Sequence, residues 1–348
     1  MNKEELNQLV KKGEFLTKLD LSGADYSETD LAGGIFESVS FANANLKGAF
    51  LRECNFLNCN FMGASFEGAD LKFTNFISPE MSDATFINAE MPNANFIDPI
   101  LNKADFSNAN LFQTSFVNPE MQGAKFIRTN MNFTPLIKAN LTGADLGNAN
   151  LDRTILIEAR LDQVSFRGAN LQQTIFVKPS CLTGHDFSGM HLAMTQFMEA
   201  DLSGCNFTDA NLTQLGIAGA NMTQAVMDNA QMLGTFACGA KMIGASLKNA
   251  VLDQASLQDS DLTGANFSNA KMKMAQLTNA VCRGTLFVNA DLTWADMSHA
   301  DVSEADFGRA ILERTNLHEI NEFSTIWTGS TKESALGTDP KRAKAEKW

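Results

Sequence analysis

From Leu16 to Phe176 every fifth residue is Leu, Phe or Met, apart from Tyr26. A small residue usually lies two places before each of these centres, and Asn or Asp often sits between, as in Ala44-Asn45-Leu46-Lys47-Gly48. After a one-residue slip at Ser180-Cys181-Leu182 the same rhythm runs on to Leu317. A helix places apolar residues at i, i+3, i+4 and i+7, and a half-buried strand alternates. A sustained period of five fits neither. Self-similarity at a fixed short period marks a solenoid, whose unit cannot bury its apolar side alone and must stack on its neighbours.

The phase of the repeat assigns the inside and the outside. The centre and the small residue two before it face inward, and the other three positions face solvent. Between centres 202 and 312 the small inward residue is Ala except at Cys205, Leu215, Thr235, Ser260 and Thr285. A bulky side chain at both inward positions would overfill a narrow core, so Ala there is a packing requirement. Pro79, Pro99, Pro119 and Pro179 all fall two before a centre and are spaced by multiples of 20 residues. Four pentapeptides then make one turn of a square coil with equivalent corners stacked. Proline is tolerated where its missing N–H serves no ladder bond. The walls through Phe36 and Phe66 are rich in Phe, and those through Leu21 and Leu31 are mostly Leu and Met.

The units Ala144-Asp145-Leu146, Ala149-Asn150-Leu151, Ala200-Asp201-Leu202 and Ala290-Asp291-Leu292 resemble the Ala-(Asp/Asn)-Leu-x-x consensus of the pentapeptide-repeat proteins. The resemblance covers roughly residues 16–317. It implies an all-β fold, a right-handed quadrilateral β-helix. About sixty units make about 15 coils, a rod of roughly 70 Å at about 4.8 Å per rung.

Residues 1–13 read as a helix capping the first coil. Asn2 is its N-cap, Glu4 and Glu5 fill the first turn, Lys11 and Lys12 the last, Gly13 ends it, and Leu6, Leu9 and Val10 form the apolar face. Residues 14–320 form the β-helix, one domain in two subregions, with the slip near 180–186 read as a bulge at a corner. A second irregularity lies at Phe236-Ala237, where Ala takes the centre. Beyond Leu317 the pattern dissolves. Residues 321–348 form a tail, partly disordered, in which Ile320, Phe323, Ile326 and Trp327 could cap the last coil and Trp348 follows a basic run. There is no signal-peptide pattern and no apolar run long enough to span a bilayer, so the expected location is the cytoplasm, away from membranes.

Little in the chain points to chemistry. Cys54, Cys59 and Cys205 hold the small inward position, Cys181 and Cys282 fall at or beside centres, and Cys238 should point out. No two lie 20 apart, as a stacked pair would, so they read as free thiols of a reducing compartment. Cys181, His185 and His191 are the best metal-like group, but their spacing matches no zinc template. No Ser-His-Asp order, phosphate loop or HExxH is present. A regular solenoid lacks the long loops on which catalytic groups gather. The reading is a non-enzyme with no catalytic, cofactor-binding or metal residues.

The outward positions carry more information. The residue after each centre on the wall through Phe36 reads Leu57, Ile77, Ile97, Val117, Ile137, Ile157 and Val177. Seven successive coils place an aliphatic side chain outside one wall, a column of about 30 Å. Ile155 and Ile175 widen its far end. A contiguous exposed apolar strip marks an interface, with another protein or with a second copy of the chain.

The expected function is therefore a protein-binding scaffold. Family members occur as accessory components of bacterial secretion loci, including type VI systems, and the opening Lys12-Gly13-Glu14-Phe15-Leu16 through Leu21-Ser22-Gly23-Ala24-Asp25 is similar to such modules. The resemblance thus implies an adaptor or chaperone whose partner is a secretion component or an effector. Other members imply the alternative, a DNA mimic that binds DNA gyrase. A rod of that length would need roughly 40 negative charges to match a duplex, and the chain carries −13. With few basic clusters it should not bind nucleic acid directly.

Overall fold

A computed structural model describes residues 1–346. Trp348, and Lys347 before it, lie outside the described residues. The chain divides into two compact units, Met1–Cys181 and Leu182–Trp348.

The first unit opens with helix α1 (Lys3–Lys11), whose Asn2 side chain accepts from the Glu5 N–H while the Glu5 carboxylate accepts from the Asn2 N–H. This reciprocal capping box satisfies two otherwise orphaned donors. Leu6 and Val10 are buried. Nine three-residue strands follow on one wall: β1 (Phe15–Thr17), β2 (Ile35–Glu37), β3 (Asn55–Leu57), β4 (Asn75–Ile77), β5 (Asn95–Ile97), β6 (Ser115–Val117), β7 (Pro135–Ile137), β8 (Ile155–Ile157) and β9 (Ile175–Val177). Each pairs in parallel with the next at a 20-residue stagger. On the other three walls the same stagger appears as isolated bridges, such as Asp25↔Asn45 and Asp70↔Glu90. This is the quadrilateral parallel β-solenoid that the repeat implied. In the first unit, however, regular strand is confined to nine turns of this one wall, against the about fifteen coils expected of the whole chain.

The physical difference between the walls is a turn. On a bridge wall the inward small residue donates its N–H to the preceding centre, as Ala144 does to Leu141 at 2.8 Å. After the strand wall the chain is extended, and the inward residues Cys59, Ala139 and Ala159 donate to no backbone carbonyl. Pro79, Pro99 and Pro119 occupy that same corner, so each proline costs no bond. Every corner places the second residue after the centre at positive φ, for example Gly48 at 63° and Asn118 at 50°. Gly and Asn tolerate this left-handed region best.

Inside, rings stack along the axis. Phe76, Phe96 and Phe116 lie 4.7 and 4.8 Å apart nearly face to face, and Phe86 stacks on Phe106 at 4.7 Å. The two columns meet edge-on, as at Phe106–Phe116, 6.3 Å and 83°. Edge-to-face contact is the favoured aromatic geometry. Within each column the one-rung spacing sets a near-parallel stack, which aromatic rings also favour when offset.

The second unit carries one strand, β10 (Gln196–Met198), and continues by bridges from Asp186↔Asn206 to Asn316↔Leu336. Ala237 is buried at its centre and Phe236 is exposed, as the pattern required. The repeat runs further than the sequence reading allowed. Asn321 and Ile326 still bridge to the rung before, and Trp327 takes a centre position, stacked 4.4 Å from Phe307. Nor does the tail lack structure: Lys332–Ser334 is a 3₁₀ turn and α2 (Pro340–Ala345) is a helix capped by Asp339. Among the described residues no helix is long and apolar enough to cross a membrane.

Candidate protein-binding surface

The backbone of each coil is committed along the solenoid axis. Leu46 N–H reaches Ser65 O, Gly48 N–H reaches Glu67 O, and Asn45 N–H reaches Ala24 O, at 2.7–2.9 Å. Only side chains remain to meet a partner on a wall. On the strand wall the centre points in and its two neighbours point out, which follows from the two-residue period of a strand.

The structure brings all seven predicted residues together. Leu57, Ile77, Ile97, Val117, Ile137, Ile157 and Val177 lie on the outer face of β3–β9, each in register with the next. Stacking leaves most of them half-buried, with Ile77 the most open at 39% exposed. Strand geometry alone does not demand this composition. The other outward slot of the same wall holds Asn55, Asn75, Asn95 and Ser115, and the same slot in β1 and β2 holds Thr17 and Glu37. Asn75 donates to Asn55 at 3.0 Å along one edge, and Asn118 to Asp98 at 2.9 Å along the other.

From β7 onward the apolar surface widens, through Pro135, Ile155 and Ile175. A further element escaped the sequence reading. Phe133, 41% exposed, turns the corner into β7 at φ 58°, with Phe112 edge-on at 5.8 Å and the Arg153 guanidinium 5.3 Å above its ring. The signal was a bulky aromatic at a positive-φ corner, a feature that Phe73 shares. Phe and Arg side chains are both enriched at protein interfaces.

The thiols follow the phase of the repeat with one correction. Cys54, Cys59, Cys205 and Cys282 are buried, and Cys238 is exposed. Cys181, placed at or beside a centre by the sequence, is also exposed. It is the extra residue of the slip and sits at a corner with φ 63°. Its thiol is raised above the ordinary range by its hydrogen bond to the Asp162 carboxylate. His185 donates Nδ1–H to the Leu182 carbonyl at 3.0 Å.

One group of possible metal ligands was not foreseen. His299 Nε2 and His318 Nε2 lie 3.4 and 3.0 Å from Glu346 Oε2. The hydrogen bonds argue for a latch. Asp339 N–H donates to His318 Nδ1 at 3.1 Å, so the proton of the neutral ring is on Nε2, where it donates to Glu346. The nitrogen facing the group therefore offers no lone pair, and Arg342 engages the other Glu346 oxygen at 2.7 Å.

Among solved structures the chain is similar to QnrB1, a plasmid-mediated fluoroquinolone resistance protein, at 20% identity over 56% of this chain and 89% of that one, TM-score 0.45. It is similar to HetL, involved in heterocyst differentiation regulation in Nostoc sp. strain PCC 7120, at 20% identity over 97% and 98%, TM-score 0.27. A third is Rfr23 of Cyanothece 51142, at 27% identity over 32% and 85%, TM-score 0.25. Comparison with curated protein sequences finds no match. The family model of pentapeptide repeats matches residues 40–77, 80–118, 104–143, 136–173, 180–214, 240–274 and 275–314. These spans cover well over half of the chain, which belongs to the pentapeptide repeat family.

Proposed function

We propose that the protein is a non-enzymatic scaffold that docks another protein along the strand wall. The observation that supports this is the in-register outer column from Leu57 to Val177. It lies on the one wall of the first unit that is extended, beside slots filled by Asn and Ser. In its finer form the proposal is an adaptor or chaperone that helps load an effector into a bacterial secretion system.

Mimicry of DNA toward gyrase is the competing reading. Many carboxylates are turned into their own corners and do not project as a phosphate array would. Gly147 N–H binds Asp145 Oδ1 at 2.9 Å, and the Ser188 hydroxyl and N–H hold Asp186 below the ordinary carboxylate range. With a net charge of −13 in the whole chain, the polyanion needed for a duplex mimic is missing.

The test is affinity capture from extracts of the native host, comparing the parent with Ile97→Asp/Ile137→Asp after circular dichroism shows that the variant folds. A secretion component or effector captured by the parent and lost from the variant supports the scaffold. Gyrase captured equally by both would replace it with the mimic.

A further inference from the structure

The geometry points to a partner element of a particular kind, an amphipathic helix with acidic flanks laid along the column over β3–β9. The inference rests on the scaffold reading and concerns what the scaffold holds.

The first argument is the backbone. A partner strand gains its affinity from main-chain bonds to an unpaired sheet edge. The face of the strand wall has none to give, because N–H and C=O groups run rung to rung, as in Ser78 N–H to Ile97 O at 2.8 Å and Asn75 N–H to Cys54 O at 2.9 Å. An extended segment pressed on this face would have its own peptide groups desolvated and unpaired, at about 1–3 kcal/mol each. A helix arrives with its main chain already satisfied.

The second argument is shape. The column from Leu57 to Val177 crosses six rung intervals, or about 29 Å. That is the length of a helix of about 19 residues. The surface is a narrow ribbon, one or two side chains wide. Such a ribbon is too small for the roughly 800 Å² per partner of a standard interface between flat faces. It matches the apolar stripe of one helix.

The third argument is charge. Beside the widened end over β7–β9, the corner residues that flank the strands are Arg153 on one side and Lys138, Glu158 and Lys178 on the other, Glu158 lying 4.0 Å from Lys138. This local cationic frame stands out in a chain with an excess of acid. It selects Glu and Asp beside the partner's apolar stripe and disfavours Lys.

The test uses three labelled 20-residue peptides titrated against the full chain by fluorescence anisotropy. One has Leu at helical i, i+3, i+4 and i+7 spacing with Glu flanks, the second has Lys flanks, and the third scrambles the Leu positions of the first. The Glu-flanked peptide should bind saturably and at least about tenfold tighter than either other. Ile137→Asp should abolish that binding. The triple variant Lys138→Gln/Arg153→Gln/Lys178→Gln should erase the preference for Glu over Lys. No saturable binding of the Glu-flanked peptide, equal binding of the scrambled one, or binding indifferent to Ile137→Asp overturns the inference. If capture from host extract still depends on the wall while the peptide fails, the scaffold stands and the helix assignment falls. If both fail, the scaffold falls with it.

Discussion

Thr114 donates its hydroxyl to the carbonyl oxygen of Met91 at 2.6 Å, one coil away, while the Ala94 N–H occupies the same oxygen at 3.0 Å. The fork recurs at Leu51, which accepts from Thr74 Oγ1 and Cys54 N–H, and at Leu111, which accepts from Thr134 Oγ1 and Thr114 N–H. Polar residues in the small inward slot are thus bonded core residues. Thr114→Val should lose about 1 kcal/mol, the net value of one such bond. In this column Thr74, Thr114, Thr134, Thr154 and Thr174 surround a lone Ala94. Ala94→Thr should therefore gain about 0.5–1 kcal/mol by reaching the Leu71 carbonyl. Urea unfolding midpoints for the two variants, shifting in opposite directions, check both.

Proline tolerance should follow the corner. Ala139 donates to no backbone acceptor and is equivalent to Pro119, so Ala139→Pro should change stability by less than about 1 kcal/mol. Ala144 donates to Leu141 at 2.8 Å, so Ala144→Pro should cost about 3 kcal/mol or more. Equal thermal melts for the two would refute this account of the corners.

Burial pushes the thiol of Cys54 up to about 12 and those of Cys59 and Cys205 up to about 11, from an ordinary value of 9.0. The folded values are raised, so the fold is unaffected by these groups below pH 9. It loses stability as pH climbs from 9 toward 11–12, where only the unfolded chain ionises freely. Iodoacetamide at pH 8 should label Cys181 and Cys238 in the native protein, and the buried four only after denaturation. Mass spectrometry of the labelled peptides reads this directly.

The Arg342 and His318 hydrogen bonds to Glu346 hold its carboxyl below the ordinary range. A depressed carboxyl contributes stability above its unfolded value, and that contribution disappears as pH falls through the folded one. Helix α2 should accordingly loosen in acid before the solenoid does. Hydrogen exchange over residues 340–346, read as protection relative to the intrinsic rate at each pH, should show Glu346→Gln less protected than the parent at neutral pH and its protection unchanged by acid.

A polar ladder in the second unit makes the same point about corners. Asn229 donates to Asp209, Asn249 to Asn229, Asn269 to Asn249 and Asn289 to Asn269 at 3.0–3.2 Å, and Arg309 closes the row on Asn289 at 2.7 Å. Asn249, at φ 58°, both accepts the left-handed corner and links its neighbours. Asn249→Val should cost about 1–2 kcal/mol from backbone strain alone, and Asn249→Gly should lose only the ladder bonds. Chemical denaturation of the pair separates the two effects.

The five-residue phase placed the centres and the small inward slots, and the 20-residue spacing of Pro79, Pro99, Pro119 and Pro179 added the stacking interval and so the outward column at Ile97 and its neighbours. It could do so because a unit that buries two positions in five must stack on its neighbours to close a core, and equivalent positions then recur in register. Tertiary structure decided what depends on neighbours one rung away. It made one wall extended and three turned, brought Phe133 and Arg153 to the edge of the column, and exposed Cys181 as the extra residue of the slip. It also carried the repeat on to Trp327 and set the His318 tautomer through Asp339. Those features arise from contacts between residues 20 or more positions apart in the chain, where a local pattern holds no record of which side chain will meet which.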